Sequence, residues 1–224
     1  MTALRYENQG TEESFRKASE LYREAGDRGS AMGYRCLANL YENGKGVRQS
    51  YKKAAEYYGK AAGMGLDVAQ CDLGYLYDHG LGVAQSYEKA FELYSEAAAK
   101  KYPRAMNNLG LLYFSGFGTE KSYEKAFELF EAAANQGDAD AANNAGMMYQ
   151  HGLGVGQSYE EALRWYSIAA DQGNIRAQCN LASMYADGEG VEKSYGKAVE
   201  LYTMAANQGD PRSQYLLGGM YRRG

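Results

Sequence analysis

The sequence predicts an all-α solenoid built from helix–turn–helix repeats of 36 residues. Three observations carry that prediction: one phrase recurs at a fixed step, glycine and tyrosine columns keep the same step, and the apolar residues between them have helical spacing. The phrase "QSYEKAFELYSEAAA" at Gln85–Ala99 returns almost unchanged as "KSYEKAFELFEAAAN" at Lys121–Asn135. Ser50-Tyr51, Ser86-Tyr87, Ser122-Tyr123, Ser158-Tyr159 and Ser194-Tyr195 lie 36 residues apart, and Ser14-Phe15 extends the series backwards. Tyr41, Tyr77, Tyr113, Tyr149, Tyr185 and Tyr221 keep the step, as do Gly44, Gly80, Gly116, Gly152, Gly188 and Gly224. A unit this short cannot bury its own apolar face, so a strict period along the whole chain means stacked units sharing one core.

Each unit reads as two helices. In "RAMNNLGLLYFSG" the first helix places Ala105, Leu109, Leu112 and Tyr113 on one face. Its mid-helix Gly110 recurs as Gly74, Gly146 and Gly218, with Ala38 and Ala182 in the other units. A glycine there costs about 1 kcal/mol against alanine, so the position excludes a side chain. Close helix approach is expected, with a tyrosine from the neighbouring module filling the space. Gly-x-Gly-Val follows, as at Gly80–Val83 and Gly152–Val155. It reads as a turn, since a dinucleotide loop needs a preceding strand and a third glycine. The second helix opens at the serine, an N-cap, with Glu88, Glu124 and Glu160 in first turns where the helix dipole favours carboxylates. Ala90, Leu93, Tyr94, Ala97 and Ala98 line its apolar face, and Gly65, Gly137, Gly173 and Gly209 close such helices in a left-handed turn.

These elements divide one repeat domain over 1–224: a partial unit at 1–30, full units at about 31–66, 67–102, 103–138, 139–174 and 175–210, and a partial unit at 211–224. Thr11 to Arg28 resembles a second helix without its first, and the count is about twelve helices. Neither end carries the polar cap expected of a terminal repeat. The chain is therefore expected to be a piece of a longer protein, or to pair through its ends.

Leu-Gly-x-x-Tyr, then Gly-x-Gly-Val, then Ser-Tyr-x-x-Ala-x-x-x-Tyr-x-x-Ala-Ala-x-x-Gly resembles the Sel1-like repeat, a 36-residue relative of the tetratricopeptide repeat. The resemblance covers essentially the whole chain. One departure is systematic: the family often has Asp where this chain has Ser14, Ser50, Ser86, Ser122, Ser158 and Ser194, and either residue caps a helix. The resemblance implies a right-handed, tetratricopeptide-like superhelix and a non-enzymatic scaffold or adaptor that binds a protein or peptide. It also implies a concave face lined by the first helix of each repeat.

Composition narrows the partners. A net charge of −4 disfavours nucleic acid, whose phosphates need clustered Lys and Arg. No apolar run approaches the roughly 18 residues of a membrane span, and "MTALRYENQG" holds no signal-peptide core. Three cysteines form no disulfide framework, which favours a cytoplasmic location. Catalytic constellations are absent, and neither a metal site nor a cofactor is expected. His79 and His151 share a column two units apart, too far for one metal at bonds near 2 Å. Sixteen of the 22 tyrosines fall in three repeated columns, as a repeated core requires.

The variable face remains. With Leu109 and Tyr113 pointing into the stack, Arg104, Asn107, Asn108, Leu111 and Phe114 are expected to face the groove. Asn108, Asn144 and Asn180 then form a ladder, with Asn107 and Asn143 beside two rungs. An amide side chain offers two donors and an acceptor, enough for the N–H and C=O of an extended peptide. Tyr75, Leu111, Phe114 and Met147 would receive apolar side chains, and Arg104 and Arg176 would hold carboxylates. A plainer reading stands beside it, in which the amides only bond neighbouring helices. Self-association through the ends is the alternative function.

Overall fold

The computed structural model describes residues 2–222, and every regular element among them is a helix. The chain divides into two compact units, residues 1–120 and 121–224. The first holds α1 (Ala3–Glu7), α2 (Glu12–Asp27), α3 (Ala31–Asn43), α4 (Tyr51–Gly63), α5 (Asp67–His79), α6 (Tyr87–Ala99) and α7 (Pro103–Ser115). The second holds α8 (Tyr123–Ala134), α9 (Ala139–His151), α10 (Tyr159–Asp171), α11 (Ile175–Asp187), α12 (Tyr195–Asn207) and α13 (Pro211–Tyr221). Within each unit, helices adjacent in sequence pack against one another, as short connections between helices require. Gly224 of the glycine column and the side chain of Tyr221 lie outside the described residues.

Serine starts the second helices for the expected reason. The hydroxyls of Ser50, Ser86, Ser122, Ser158 and Ser194 accept from the N–H three residues on, at 3.2–3.4 Å. Ser14 departs from the series. The cap of α2 is Thr11, and Ser14 sits at the third helical position, where its hydroxyl takes the Thr11 N–H in a reciprocal box. An earlier capping residue started that helix sooner. Thr11–Arg28 also does not stand alone. The short α1 precedes it, and Tyr22 donates its hydroxyl to Glu7 at 2.5 Å. That extra helix brings the total among the described residues to thirteen rather than twelve.

The glycine of the first helix works through close approach, with a correction. A Cβ on Gly74 would lie 2.7 Å from the ring of Tyr94, and one on Gly146 2.8 Å from Tyr166. Both rings belong to the following helix of the same repeat, not to the neighbouring module. The hydroxyls stay in that repeat too, Tyr58 donating to Glu42 at 2.6 Å and Tyr166 to Gln150 at 2.8 Å. A buried ring with a polar tip needs such a partner, and the helix facing it is the nearest source.

Modules join elsewhere. In Gly-x-Gly-Val the second glycine, Gly82, has φ +70°, and a Cβ there would collide with the backbone of Tyr51 and Lys52 at the start of the preceding repeat's second helix. The turn therefore closes directly on its predecessor. One repeat lacks the closing glycine: Lys101 takes the left-handed conformation itself, at φ 62°, ahead of Pro103 at the first position of α7.

A candidate peptide-binding cleft

Three first helices of the 1–120 unit present their exposed stripes side by side and enclose a cleft of about 210 Å³. From α3 come Arg35, Asn39, Glu42 and Asn43, spaced to share one face over two turns. Asp72 and Tyr75 of α5, Arg104 of α7 and the almost fully buried Tyr58 of α4 complete the lining. Tyr75 is held by its own helix, with its ring stacked at 4.0 Å on His79, whose Nδ1 meets the Tyr75 carbonyl at 3.0 Å.

Asp72 organises one end. It is 7% exposed and accepts from Arg35 Nε at 2.9 Å on one oxygen and from Arg104 at 3.2 Å on the other. An unpaired carboxylate so buried would be costly, and the two guanidiniums relieve it while keeping their outer edges open. Burial alone would lower the pKa of both arginines. At Arg35 the charge and hydrogen bond of Asp72, and at Arg104 the neighbouring Cys71 followed by Asp72, outweigh that and hold both above the ordinary value. Tyr58, with burial first and the Glu42 hydrogen bond second, titrates far above the usual phenol range and stays a neutral donor.

The residues expected to face the groove separate into groups. Asn107 and Asn143 are each 6% exposed and lie in the core, so they cannot meet a ligand there. Asn108, Asn144 and Asn180 are half-buried. Asn180 donates to Asn143 Oδ1 at 2.9 Å, and Asn108 to Cys71 Sγ at 3.8 Å. These bonds run from one repeat to its predecessor, as the plainer reading of the amides has it. Tyr75 and Arg104 line the cleft. Leu111 is 41% exposed, Met147 and Phe114 are half-buried, and Arg176 is exposed. Phe117, at 49% exposure, stacks on Tyr87 with ring centres 4.7 Å apart.

Arg35, Asn39, Asp72 and Glu42 share the columns of Asn107, Leu111, Asn108 and Phe114, and so lie on the face expected to line the groove, but they and the core-column Tyr58 are not among the expected contacts. A signal for two of them was present. Arg35 and Asp72 have the same 37-residue separation as Asn143 and Asn180, so an ion pair replaces an amide pair in one slot. Among the described residues no group of His, Cys, Asp or Glu is arranged to hold a metal, no two cysteines form a disulfide, and no helix is long and apolar enough to cross a membrane.

A family model described as Sel1 repeat matches residues 3–30, 32–66, 67–102, 103–138, 139–174, 175–210 and 211–224. A solved Sel1 repeat protein from Oxalobacter formigenes is 30% identical, with 98% of this chain and 88% of that one covered and a TM-score of 0.89. The protective antigen c5321 of uropathogenic Escherichia coli, described as having an SLR fold, is 29% identical with a TM-score of 0.65. There the match covers 99% of this chain and 56% of the antigen. Immunity protein Pa5087 of Pseudomonas aeruginosa, 23% identical over 93% of this chain and 74% of its own with a TM-score of 0.53, shares the fold alone. The comparison with curated proteins gave no match. The chain belongs to the Sel1 repeat family, a tetratricopeptide-like α-solenoid family whose members are generally protein-interaction scaffolds rather than catalysts.

Proposed function

We propose that this protein is a non-enzymatic scaffold that holds an extended segment of another protein against the faces of its first helices. The observation that carries the reading is the cleft of the 1–120 unit, where Tyr75 and Arg104 meet Asn39 and Glu42 around a volume open to solvent. Its lining is mainly charged and amide side chains with Tyr75 as an aromatic contact, which suits the backbone and polar side chains of a peptide. Exposed Leu111 on the same helix as Arg104 extends it with an apolar contact. Outside this cleft, Asn108, Asn144, Asn180, Phe114, Met147 and Arg176 are retained as secondary contacts. Nucleic acid is disfavoured by the charge of −4.

The test is selection of a displayed random-peptide library on the intact protein, followed by anisotropy titration of the enriched peptides. Tyr75→Ala and Leu111→Ala are expected to weaken binding about tenfold or more, as central interface residues do, with melting nearly unchanged for exposed Leu111→Ala and lowered for Tyr75→Ala, whose ring also packs on the core. Undiminished binding by both variants defeats the reading. Self-association is a second reading, favoured by the 61% exposure of Leu4 and the 75% exposure of Tyr215 on α1 and α13. Light scattering that finds a strict monomer at high concentration removes it.

A further inference from the structure

The charges of the cleft are separated, and most of its guanidinium donors are unspent. Arg35 and Arg104 each commit one N–H to Asp72, of the five that a guanidinium carries. Asp72 balances one of the two positive charges, so this end keeps one net charge and several outward donors. The other end is acidic. Glu42 lies seven residues along α3 from Arg35, two turns and about 10.5 Å of helix rise, with Asn39 between them on the same stripe. Oε2 of Glu42 accepts the Tyr58 hydroxyl at 2.6 Å, and Oε1 takes no hydrogen bond among the described residues.

From this geometry we infer that the cleft binds a dipolar peptide segment, with a carboxylate on Arg35 and Arg104 and a cationic side chain on Glu42 three residues away. The inference rests on the reading of this face as a peptide site and narrows its ligand. An extended chain rises about 3.3 Å per residue, so three residues span the distance between the charged ends. Arginine suits the first role because its planar fork matches two carboxylate oxygens. Asp72 serves by locking both forks in place, which lowers the ordering cost when the ligand arrives. The carboxylate is that of an Asp or Glu side chain or of a chain terminus.

The experiment titrates the ¹⁵N-labelled protein with acetylated, amidated Glu-Ala-Ala-Lys, with its Gln-Ala-Ala-Lys and Glu-Ala-Ala-Gln controls, and with acetyl-Lys-Ala-Ala-Ala bearing a free terminal carboxylate. The first peptide is expected to give saturable shifts at amides of residues 35–43 and 72–75. Either neutral control should bind about tenfold more weakly, as should Arg104→Gln and Glu42→Gln. Arg104→Lys, which keeps charge and loses the fork, should fall between. Comparable binding by the free-acid peptide identifies a chain terminus, with the acid following the base, as an accepted source, and its failure restricts the ligand to the acid-before-base order of Glu-Ala-Ala-Lys. Equal shifts from the charged peptide and its neutral controls, or no shifts from any, overturn the inference. In that event, library peptides that depend on Tyr75 and Leu111 yet lack an acid–base pair leave the scaffold reading standing.

Discussion

Alanine at Gly74 and at Gly59 should move stability in opposite directions although both lie inside helices. Gly59 is in α4 with nothing within 4 Å of where a Cβ would sit. Alanine there gains the ordinary helix preference of about 0.5–1 kcal/mol. At Gly74 the new Cβ would lie 2.7, 2.9 and 3.3 Å from three ring atoms of Tyr94, whose side chain is fully buried. The ring must retreat by roughly 1 Å to reach an ordinary carbon–carbon separation. Overpacking of this kind costs about 1–3 kcal/mol. Ala38 and Ala182 occupy the same column over Tyr58 and Tyr202, so some shift is tolerated and a mid-range cost of about 2 kcal/mol applies. After the helix gain is subtracted, Gly74→Ala should lose about 1 kcal/mol, leaving a gap of about 2 kcal/mol between the variants. In a chain of this size that is about 4–8 °C in Tm. Thermal and urea melts followed by circular dichroism give the comparison directly. If Gly74→Ala melts as high as Gly59→Ala, close approach is not why glycine stands in that column.

Lys101→Gly should stabilise by about 0.5–1 kcal/mol in urea, because a lysine at φ 62° carries left-handed strain that glycine lacks, partly offset by the freer unfolded chain. Asp72→Asn should cost about 1–2 kcal/mol, a figure discounted because the Arg35 and Arg104 side chains are 29% and 48% exposed. Measured as urea midpoints, that deficit should shrink from 0.05 to 0.5 M salt as the two unbalanced guanidiniums are screened. Asp210 caps α13 with its carboxylate on the Ser213 hydroxyl and N–H, which holds its pKa below the usual carboxylate range. Its stabilisation is thus full above the unfolded pKa of about 3.9 and is lost as pH falls through the lower folded value. The urea midpoint of Asp210→Asn, whose cap does not titrate, should therefore fall less than that of the native protein between pH 5 and pH 2.5.

The repeat, its serine caps and its glycine turns were legible because each depends on residues within one turn of helix. The amides were harder for a definite reason. Columns compare each residue with its counterpart 36 positions away, whereas Arg35–Asp72, Cys71–Asn108 and Asn143–Asn180 join residues 37 apart. A reading by column aligns like with like and passes over a bond that steps between adjacent columns. Asn107 and Asn108 illustrate the second difficulty. They differ by one residue, about 100° around the helix, and lie on opposite sides of the edge of the buried stripe, with Asn107 6% exposed and Asn108 half-buried. A wheel drawn from sequence places such an edge only to within a residue. By sequence the tyrosines fitted either partner, since their own repeat and the next each supply a glycine or alanine in the same column.

The docking of Gly82 on Tyr51, repeated by Gly118 on Tyr87 in the first unit and by Gly154 on Tyr123 and Gly190 on Tyr159 in the second, gives the array a direction. Each bend seats its second glycine on the module before it. Trimming modules from the leading side strips the survivor's bend of its seat, whereas trimming from the trailing side leaves every remaining bend supported. Shortened or lengthened versions should accordingly tolerate changes at the two flanks unequally, and a chain emerging from the ribosome meets each seat already built.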